Sequence, residues 1–426
     1  MWSRRQFLAS SGALAAFRPA LAAAAPRQLV LIVAYGGWDI TYCFDPKLGV
    51  GELLGPEVDE DPTNPDDREA VEVVGGHPIM VNDSKRPAVR QFFEDWGAQT
   101  DVLNGVWVGA IGHETAMVRM LTGTPSDARP DMAVITGAEM GGSRPLGCVD
   151  LGARAFAGDM AATMGMVGGR SQLALLLEDA ETYPAPAGAD FQYPLHSSTR
   201  SEREQIEAFL NARAQREMAA IDGVSPRRDT LFSDLLESAD RVTRFRGQSD
   251  DFSEFLQLGV PPRFDQSADL AAALLKNQVC QTVVMDSGLN WDSHFDNSAQ
   301  HGHYDSLFHS LNRFMRLLEA DGLLATTTIA VVSEMSRAPA PNVRGGKDHW
   351  PYTSAMVMGA GVQGGRTLGA TDDKLIPVPV DLQSGEVWSG GNVLRPENFC
   401  AGLLESLGVD PGRWFPNDEV YRGFHT

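Results

Sequence analysis

Beyond its first 25 residues, the sequence lacks an apolar run long enough to cross a bilayer. A transmembrane helix needs roughly 18–20 consecutive apolar residues, and no internal stretch of the 426 residues reaches that length. Positive charge is also scarce: 35 Lys and Arg stand against 56 Asp and Glu, for a formal net charge of −21. General nucleic-acid binding is therefore excluded. An anionic substrate would need a local positive feature, such as a metal ion or a helix N-terminus.

Cysteine is scarce as well, with only four residues, Cys43, Cys148, Cys280 and Cys400. Their wide spacing excludes the paired pattern of a structural zinc site. Four cysteines can pair in three ways where the compartment is oxidising. Because Cys280 and Cys400 lie in apolar runs, we expect mostly free, buried thiols that pack as core residues.

Residues 1–25 have the organisation of a targeting signal. Adjacent Arg4 and Arg5 precede an apolar run of small residues that ends at Phe17, and alanines follow. This order resembles a bacterial twin-arginine export signal. A short membrane anchor or a basic first helix is the alternative. The sequence thus predicts a periplasmic or extracellular protein, whose mature chain, residues 26–426, has no transmembrane segment.

Along the mature chain, short apolar runs alternate with amphipathic helical patterns. The apolar runs predict strands at residues 28–35, 101–108, 133–136, 173–177, 281–286, 327–332 and 355–358. The helical periodicity predicts helices at residues 86–97, 114–121, 268–277, 304–320 and 397–407. This alternation is typical of an α/β fold with a doubly wound, mostly parallel sheet sandwiched by helices. Residues 200–260 are charged and helical, which indicates a helical insertion into a single domain.

Carboxylates and imidazoles follow several of these strands or begin the next helix. They are Asp39, His113, Asp292, His294, Glu334, Asp348 and His349. Ligands of α/β proteins bind beyond the carboxyl ends of the strands, so we expect these side chains to meet there. Mixed carboxylate and imidazole ligands suit zinc, manganese or a related divalent ion. For Asp39 and His113, capping of a turn or helix is the alternative role.

Several segments resemble the DUF1501 family. They are Trp291-Asp292-Ser293-His294, residues 331–339 and 345–351, the glycine-rich stretch 359–365, and the turn Gly36-Gly37-Trp38-Asp39. The resemblance covers nearly the whole mature chain and is strongest from residue 281 to 370. That family is similar to the alkaline phosphatase and sulfatase superfamily. The resemblance implies an alkaline phosphatase/sulfatase-like fold with divalent metals beyond the strand ends.

The resemblance also implies roles for individual residues. Asp39 matches the acidic metal ligand after the first strand, Asp292 and His294 match a strand-end pair, and His349 matches a final histidine. Glu334 and Met335 stand where the superfamily usually has an Asp-His pair, and a methionine cannot replace imidazole for a hard ion.

The nucleophile position departs from the superfamily pattern. The resemblance implies a nucleophile at the start of the helix that precedes a Thr-Gly pair, which in this chain is Thr122-Gly123. The corresponding position is His113 instead of a serine, threonine or cysteine, and Thr115 carries the nearest hydroxyl. A covalent mechanism needs an activated nucleophile, and none is evident from the sequence.

Three functions fit these observations. The first is a metal-dependent hydrolase of phosphate or sulfate esters, using zinc, manganese or calcium, in which water attacks and His113 is a ligand or an acid/base. The second is a metal-binding protein without turnover. The third is a scaffold that binds a protein partner at the cell envelope. For the first two, we expect one metal ion to be shared by four residues, Asp39, Asp292, His294 and His349.

Overall fold

The computed structural model describes residues 27–51, 53–167 and 263–426, together with the helix at residues 200–221 and six positions between 236 and 245. The export signal at residues 1–25 and the strand at 173–177 lie outside these ranges and stay predictions. Within the described ranges, no helix is both long and apolar enough to cross a membrane.

Twelve strands lie in the described residues. In chain order they are β1 (Gln28–Val33), β2 (Ala70–Val74), β3 (His77–Val81), β4 (Thr100–Trp107), β5 (Leu146–Asp150), β6 (Met164–Met166), β7 (Cys280–Asp286), β8 (Thr327–Val332), β9 (Ser336–Pro341), β10 (Lys347–Trp350), β11 (Tyr352–Gly359) and β12 (Arg366–Leu368). Eight of them form one sheet in the order β12-β4-β11-β8-β1-β7-β5-β6. The pairs β9–β10 and β2–β3 form two small antiparallel sheets.

Helices cover both faces of the large sheet. They are α1 (Pro87–Trp96), α2 (His113–Thr122), α3 (Met132–Met140), α5 (Phe264–Lys276), α6 (Ala299–Ala320) and α7 (Pro396–Ser406), and a further helix, α4 (Arg200–Ile221), lies between β6 and β7 in the chain. Side chains of β1 alternate between two cores, as the two-residue period of a strand requires. Val30 and Ile32 pack with α1, α5 and α6, whereas Leu29 and Leu31 pack with α2, α3 and α7. The predicted α/β sandwich is confirmed.

Strand direction explains why distant segments meet at one edge of the sheet. β1 pairs in parallel with both β7 and β8, and β5 continues this parallel arrangement. β11 alone among the eight strands is antiparallel to its neighbours β4 and β8. The amino end of β11 therefore lies beside the carboxyl ends of β1, β4, β7 and β8.

Two predicted elements differ from the structure. Residues 133–136 belong to helix α3, where the carboxylate of Asp131 caps the amino end by accepting from the N–H groups of Ala133 and Val134. The first six residues of α3 are all buried. An apolar run without polar interruptions cannot reveal its period, so the strand prediction was wrong. Ser336–Pro341, for which the sequence predicts no strand, forms strand β9 of the small β9–β10 pair, where proline is tolerated at an edge.

The cysteine prediction is confirmed. Cys43, Cys148, Cys280 and Cys400 are all free and buried. Each lies among apolar residues of one of the two cores that flank the sheet.

Helix α3 and strand β5 approach so closely that glycine is required at their contact. A Cβ atom built on Gly137 would lie 2.5 Å from the carbonyl carbon of Gly147. We expect Gly137→Ala to lower the free energy of unfolding by about 1–3 kcal/mol, because the helix must move off the sheet. Urea unfolding followed by circular dichroism measures the change.

A matched control is Gly302→Ala in helix α6, where an added Cβ meets nothing within 4 Å. This change should stabilise the protein by up to about 1 kcal/mol, because alanine favours a helix over glycine. Equal stability of the two variants would show that the α3–β5 contact is not tight in solution.

Candidate metal centre

Three histidines and one aspartate lie together beyond the strand ends described above. His113 begins α2 after β4, Asp292 and His294 follow β7, and His349 lies in β10 just before β11. Because β11 is antiparallel, its amino end brings His349 to the edge where the other strands end. Donor atoms of His113, Asp292 and His349 all lie within 4.8 Å of one another.

His113 is oriented by the buried carboxylate of Glu334. Its Nδ1 donates to Glu334 Oε1 at 2.7 Å, and the same oxygen accepts from the backbone N–H of Gly36 at 2.8 Å. The other ring nitrogen, Nε2, is buried without a hydrogen-bond partner among the described residues. It lies 3.5 Å from Asp292 Oδ2. Glu334 thus aims the free nitrogen of His113 at Asp292.

His294 and His349 are oriented in the same way. His294 Nδ1 donates to Asp348 Oδ1 at 3.1 Å, and His349 Nδ1 donates to the carbonyl oxygen of Ile111 at 2.5 Å. Their Nε2 atoms lie 2.8 Å apart. Asp292 Oδ1 lies 3.2 Å from the first and 3.4 Å from the second.

These contacts determine the tautomers of all three rings. Carboxylate and carbonyl oxygens only accept, so each Nδ1 must carry the hydrogen, and a neutral ring then has its lone pair on Nε2. The lone pair of His113 therefore faces Asp292 Oδ2, and the lone pairs of His294 and His349 face each other and Asp292 Oδ1. This arrangement is favourable only if a cation or an extra proton lies between the donors. Histidines that ligate metals are usually held by such acceptors on the second nitrogen. The donor set therefore fits a divalent metal ion.

The electrostatics of the group support cation binding. The hydrogen bond to Glu334 raises the pKa of His113 against the effect of burial, so a divalent metal ion would compete with a proton at this ring. Burial lowers the pKa of His349, which favours the neutral form that a metal requires. Burial also opposes ionisation of Asp292, but hydrogen bonding and charge from Arg337 outweigh it and hold the pKa of Asp292 below its usual range.

Arg337 is a residue of the site that the sequence analysis missed. Its side chain is fully buried, and its Nη2 donates to Asp292 Oδ1 at 2.8 Å. Its Nε donates to the carbonyl of Gly37 at 2.8 Å. Arg337 thus holds Asp292 by one oxygen and leaves Oδ2 facing His113. Its position three residues after Glu334 indicated that it could belong to the site. Arginine is rarely buried, however, so the sequence alone favours a surface position.

Asp39 lies outside this group. Its Oδ1 accepts from the N–H and hydroxyl of Thr41, and its Oδ2 accepts from Asn297 and, at 2.7 Å, from the buried ammonium of Lys347. With four donors, this carboxylate has no lone pair directed at the histidines. The structure thus places His113, and not Asp39, beside the other three residues of the four-ligand hypothesis, and ligation of a metal by any of them stays a prediction. Asp39 has the alternative role considered for it, because its side chain caps the 3-10 helix Ile40–Tyr42.

The remaining predicted site residues have supporting or peripheral positions. Glu334 is fully buried behind His113, so it orients a ligand and does not face the group itself. Asp348 is exposed and holds His294 from the outside. Thr115 is exposed on α2, and it makes no recorded hydrogen bond to the histidines or to Asp292.

The Asp39–Lys347 pair predicts a stability effect that is separate from metal binding. Both side chains are buried, so Asp39→Ala leaves an ammonium uncompensated and should lower the free energy of unfolding by about 3–5 kcal/mol. Adding Lys347→Met should restore much of the loss, because the stranded charge is removed. Urea unfolding of both variants checks this. If Asp39→Ala instead left stability unchanged and removed bound metal, Asp39 would be a ligand after all.

Comparison with solved structures finds similar folds at low TM-scores. Ps i-CgsB in complex with k-i-k-neocarrahexaose is 8% identical, with a TM-score of 0.41, over 93% of this chain and 75% of that one. The lipoteichoic acid synthase LtaP from Listeria monocytogenes is 9% identical, with a TM-score of 0.37, over 94% and 75%. The phosphonate monoester hydrolase SpPMH from Silicibacter pomeroyi is 12% identical, with a TM-score of 0.38, over 94% and 77%.

A comparison with proteins of curated function found no match. The family described as "Protein of unknown function (DUF1501)" matches residues 26–418, a range that includes every residue of the candidate centre. The resemblance drawn from the sequence is therefore confirmed, and the chain belongs to the DUF1501 family.

Proposed function

We propose that this protein is a metal-dependent hydrolase of phosphate or sulfate esters. One divalent ion would be held by Nε2 of His113, His294 and His349 and by the carboxylate of Asp292. The observation that carries the proposal is that Nε2 of each of these histidines lies within 3.5 Å of a carboxylate oxygen of Asp292, while Nδ1 of the same ring donates to an acceptor. Three imidazoles and a carboxylate suit zinc or manganese. Calcium, which takes oxygen ligands, fits this donor set poorly.

The chain supplies the positioning that such chemistry needs. A bound divalent ion would supply Lewis-acid activation of water and of an ester oxygen. Glu334 holds His113 in one tautomer, and the carbonyl of Ile111 does the same for His349. Arg337 keeps Asp292 ionised and leaves one of its oxygens directed at His113. The ligands are thus set in place before any substrate binds, which lowers the cost of reorganisation.

Water is the nucleophile that the site supports. Across the described residues, no hydroxyl or thiol is recorded as hydrogen-bonded to the three histidines or to Asp292. The hydroxyl of Ser333, next to Glu334, donates to the carbonyl of Ala34 at 2.7 Å and is fully buried. Thr115 lies exposed on α2. A covalent enzyme intermediate on serine or threonine is therefore not part of the proposal.

Metal content tests the ligand assignment. We expect His349→Ala and His113→Ala to lose the metal that the wild-type protein retains, because each removes one of four donors. Glu334→Gln keeps a similar shape but loses the negative charge behind His113, so metal affinity should fall about 10- to 100-fold. Mass spectrometry of protein purified without chelator gives the stoichiometry, and titration of the metal-free protein gives the affinity.

His309→Ala is the matched control, since His309 lies exposed on helix α6 and should not affect the metal. Full metal retention in His349→Ala would contradict the assignment. A wild-type protein that folds and never binds a divalent ion would leave the envelope scaffold as the better account.

Hydrolysis is tested on the metal-loaded protein with phosphate monoesters, phosphate diesters and sulfate esters. We expect turnover of at least one class with zinc or manganese, and loss of that turnover in His349→Ala. Release of phosphate, sulfate or the alcohol is measured. A protein that binds metal in the expected stoichiometry but hydrolyses none of these esters would instead be a metal-binding protein without turnover.

A further inference from the structure

Three exposed apolar side chains belong to segments that contact the candidate metal centre. Ile111, Phe295 and Val343 retain 58%, 71% and 104% of their full exposure. We call these three side chains the apolar rim. They come from three separate segments of the chain, yet each segment is bonded to a residue of the centre.

The bonds that connect the rim to the centre are specific. The carbonyl of Ile111 accepts from His349 Nδ1. Phe295 directly follows His294 in the sequence. Asn342, which precedes Val343, donates from Nδ2 to the carbonyl of His294 at 3.0 Å. The contact between Ile111 and His349 therefore orients a proposed ligand and also positions one residue of the rim.

The rim segments are held together by close backbone packing. A Cβ atom on Gly346 would lie 2.2 Å from the carbonyl oxygen of Ser293, so the two loops that bear Phe295 and Val343 touch directly. The N–H of Asn342 donates to the carbonyl of Gly346 at 2.7 Å and closes the second loop. The guanidinium of Arg344 lies 5.4 Å from the centre of the Phe295 ring. The loops are thus braced with their apolar side chains directed to solvent.

Exposing such side chains has a cost, since burial of each would stabilise the protein by about 1.5–3 kcal/mol. Clustered apolar residues beside a polar site usually bind the apolar part of a ligand. The net charge of −21 disfavours an anionic membrane surface as the occupant. A single dissolved molecule with one anionic end and one apolar end matches both the centre and its surroundings.

We propose that the apolar rim binds the hydrophobic group of the substrate, so that the preferred substrates are phosphate or sulfate esters of alkyl or aryl alcohols. This inference rests on the proposed function for the anionic end of the substrate. The rim residues determine specificity and take no part in bond cleavage. Ile111, Phe295 and Val343 would contact the alkyl or aryl group while the ester group lies at the metal centre.

The test measures binding of n-alkylphosphonates, from methyl to octyl, to the metal-loaded protein by titration calorimetry. These probes are not hydrolysed, so binding is measured apart from turnover. We expect affinity to rise about two- to fourfold for each added methylene until the rim is covered, as burial of apolar area predicts. The double variant Phe295→Ser with Val343→Ser should bind methylphosphonate as the wild type does but lose most of the increase with chain length.

The matched control is Val71→Ser with Val73→Ser, which changes exposed apolar residues on β2 and should keep the wild-type increase. Equal affinity for methyl- and octylphosphonate in the wild type would overturn the rim proposal alone. An equal increase in wild type and rim variant would also overturn it. A chain-length increase without ester hydrolysis would support the rim and contradict the proposed activity, and failure of every probe to bind would contradict both.

Self-association of the protein through the rim would contradict the substrate proposal. If the wild-type protein dimerises, the rim variant is monomeric, and chain length has no effect, the rim is an interface between two copies and the substrate proposal is wrong. Analytical ultracentrifugation over a range of concentrations makes this comparison.

Discussion

One buried guanidinium connects the segments that form the candidate centre. Arg337 donates to the carbonyl of Gly37 after β1, to the carbonyl of Lys347 in β10, and to the carboxylate of Asp292 after β7. Its side chain is fully buried, so each unsatisfied donor would carry a large desolvation cost. Burial lowers the pKa of Arg337, and the hydrogen bond that Arg337 donates to Asp292 opposes that shift. The guanidinium therefore requires all three loops to stay where they are, which holds the ligands in register.

The two buried carboxylates at this edge have different roles because they have different partners. Asp39 receives the ammonium of Lys347 and is neutralised inside the protein. Glu334 accepts from the backbone N–H of Gly36 and from the ring of His113, and no Lys or Arg in the described part of the chain forms an ion pair with it. Its negative charge therefore acts on the ring of His113. The same chemical group thus pairs with a buried ammonium in one position and orients a histidine of the candidate centre in the other.

The polar centre and the apolar rim share segments of the chain. Phe295 directly follows His294 in the sequence, and His349 Nδ1 donates to the carbonyl of Ile111. A ligand with an anionic end and a hydrophobic end is complementary to both parts at once.

Much of the fold could be predicted from local sequence. The apolar run that becomes β1 and the repeated placement of polar residues after strands both result from short-range patterning, and the sheet confirms them. The strand predicted at residues 133–136 was wrong because a fully buried helix has no polar face to reveal its period. The orientation of β11 was also not predictable, since it depends on pairing with β4 and β8 far away in the chain.

The candidate site, like the fold, was predictable only in part from local sequence. By itself, the sequence determined which histidines and acids stand at the ends of strands, because strand endings are marked locally by glycine and by the change from apolar to polar residues. Only the tertiary structure decided which of them face one another. Asp39 is turned away by Lys347, which lies 308 positions along the chain, and Glu334 is turned behind His113. The physical reason is that the direction of a buried carboxylate depends on the donors around it, and those donors come from segments that only folding brings together.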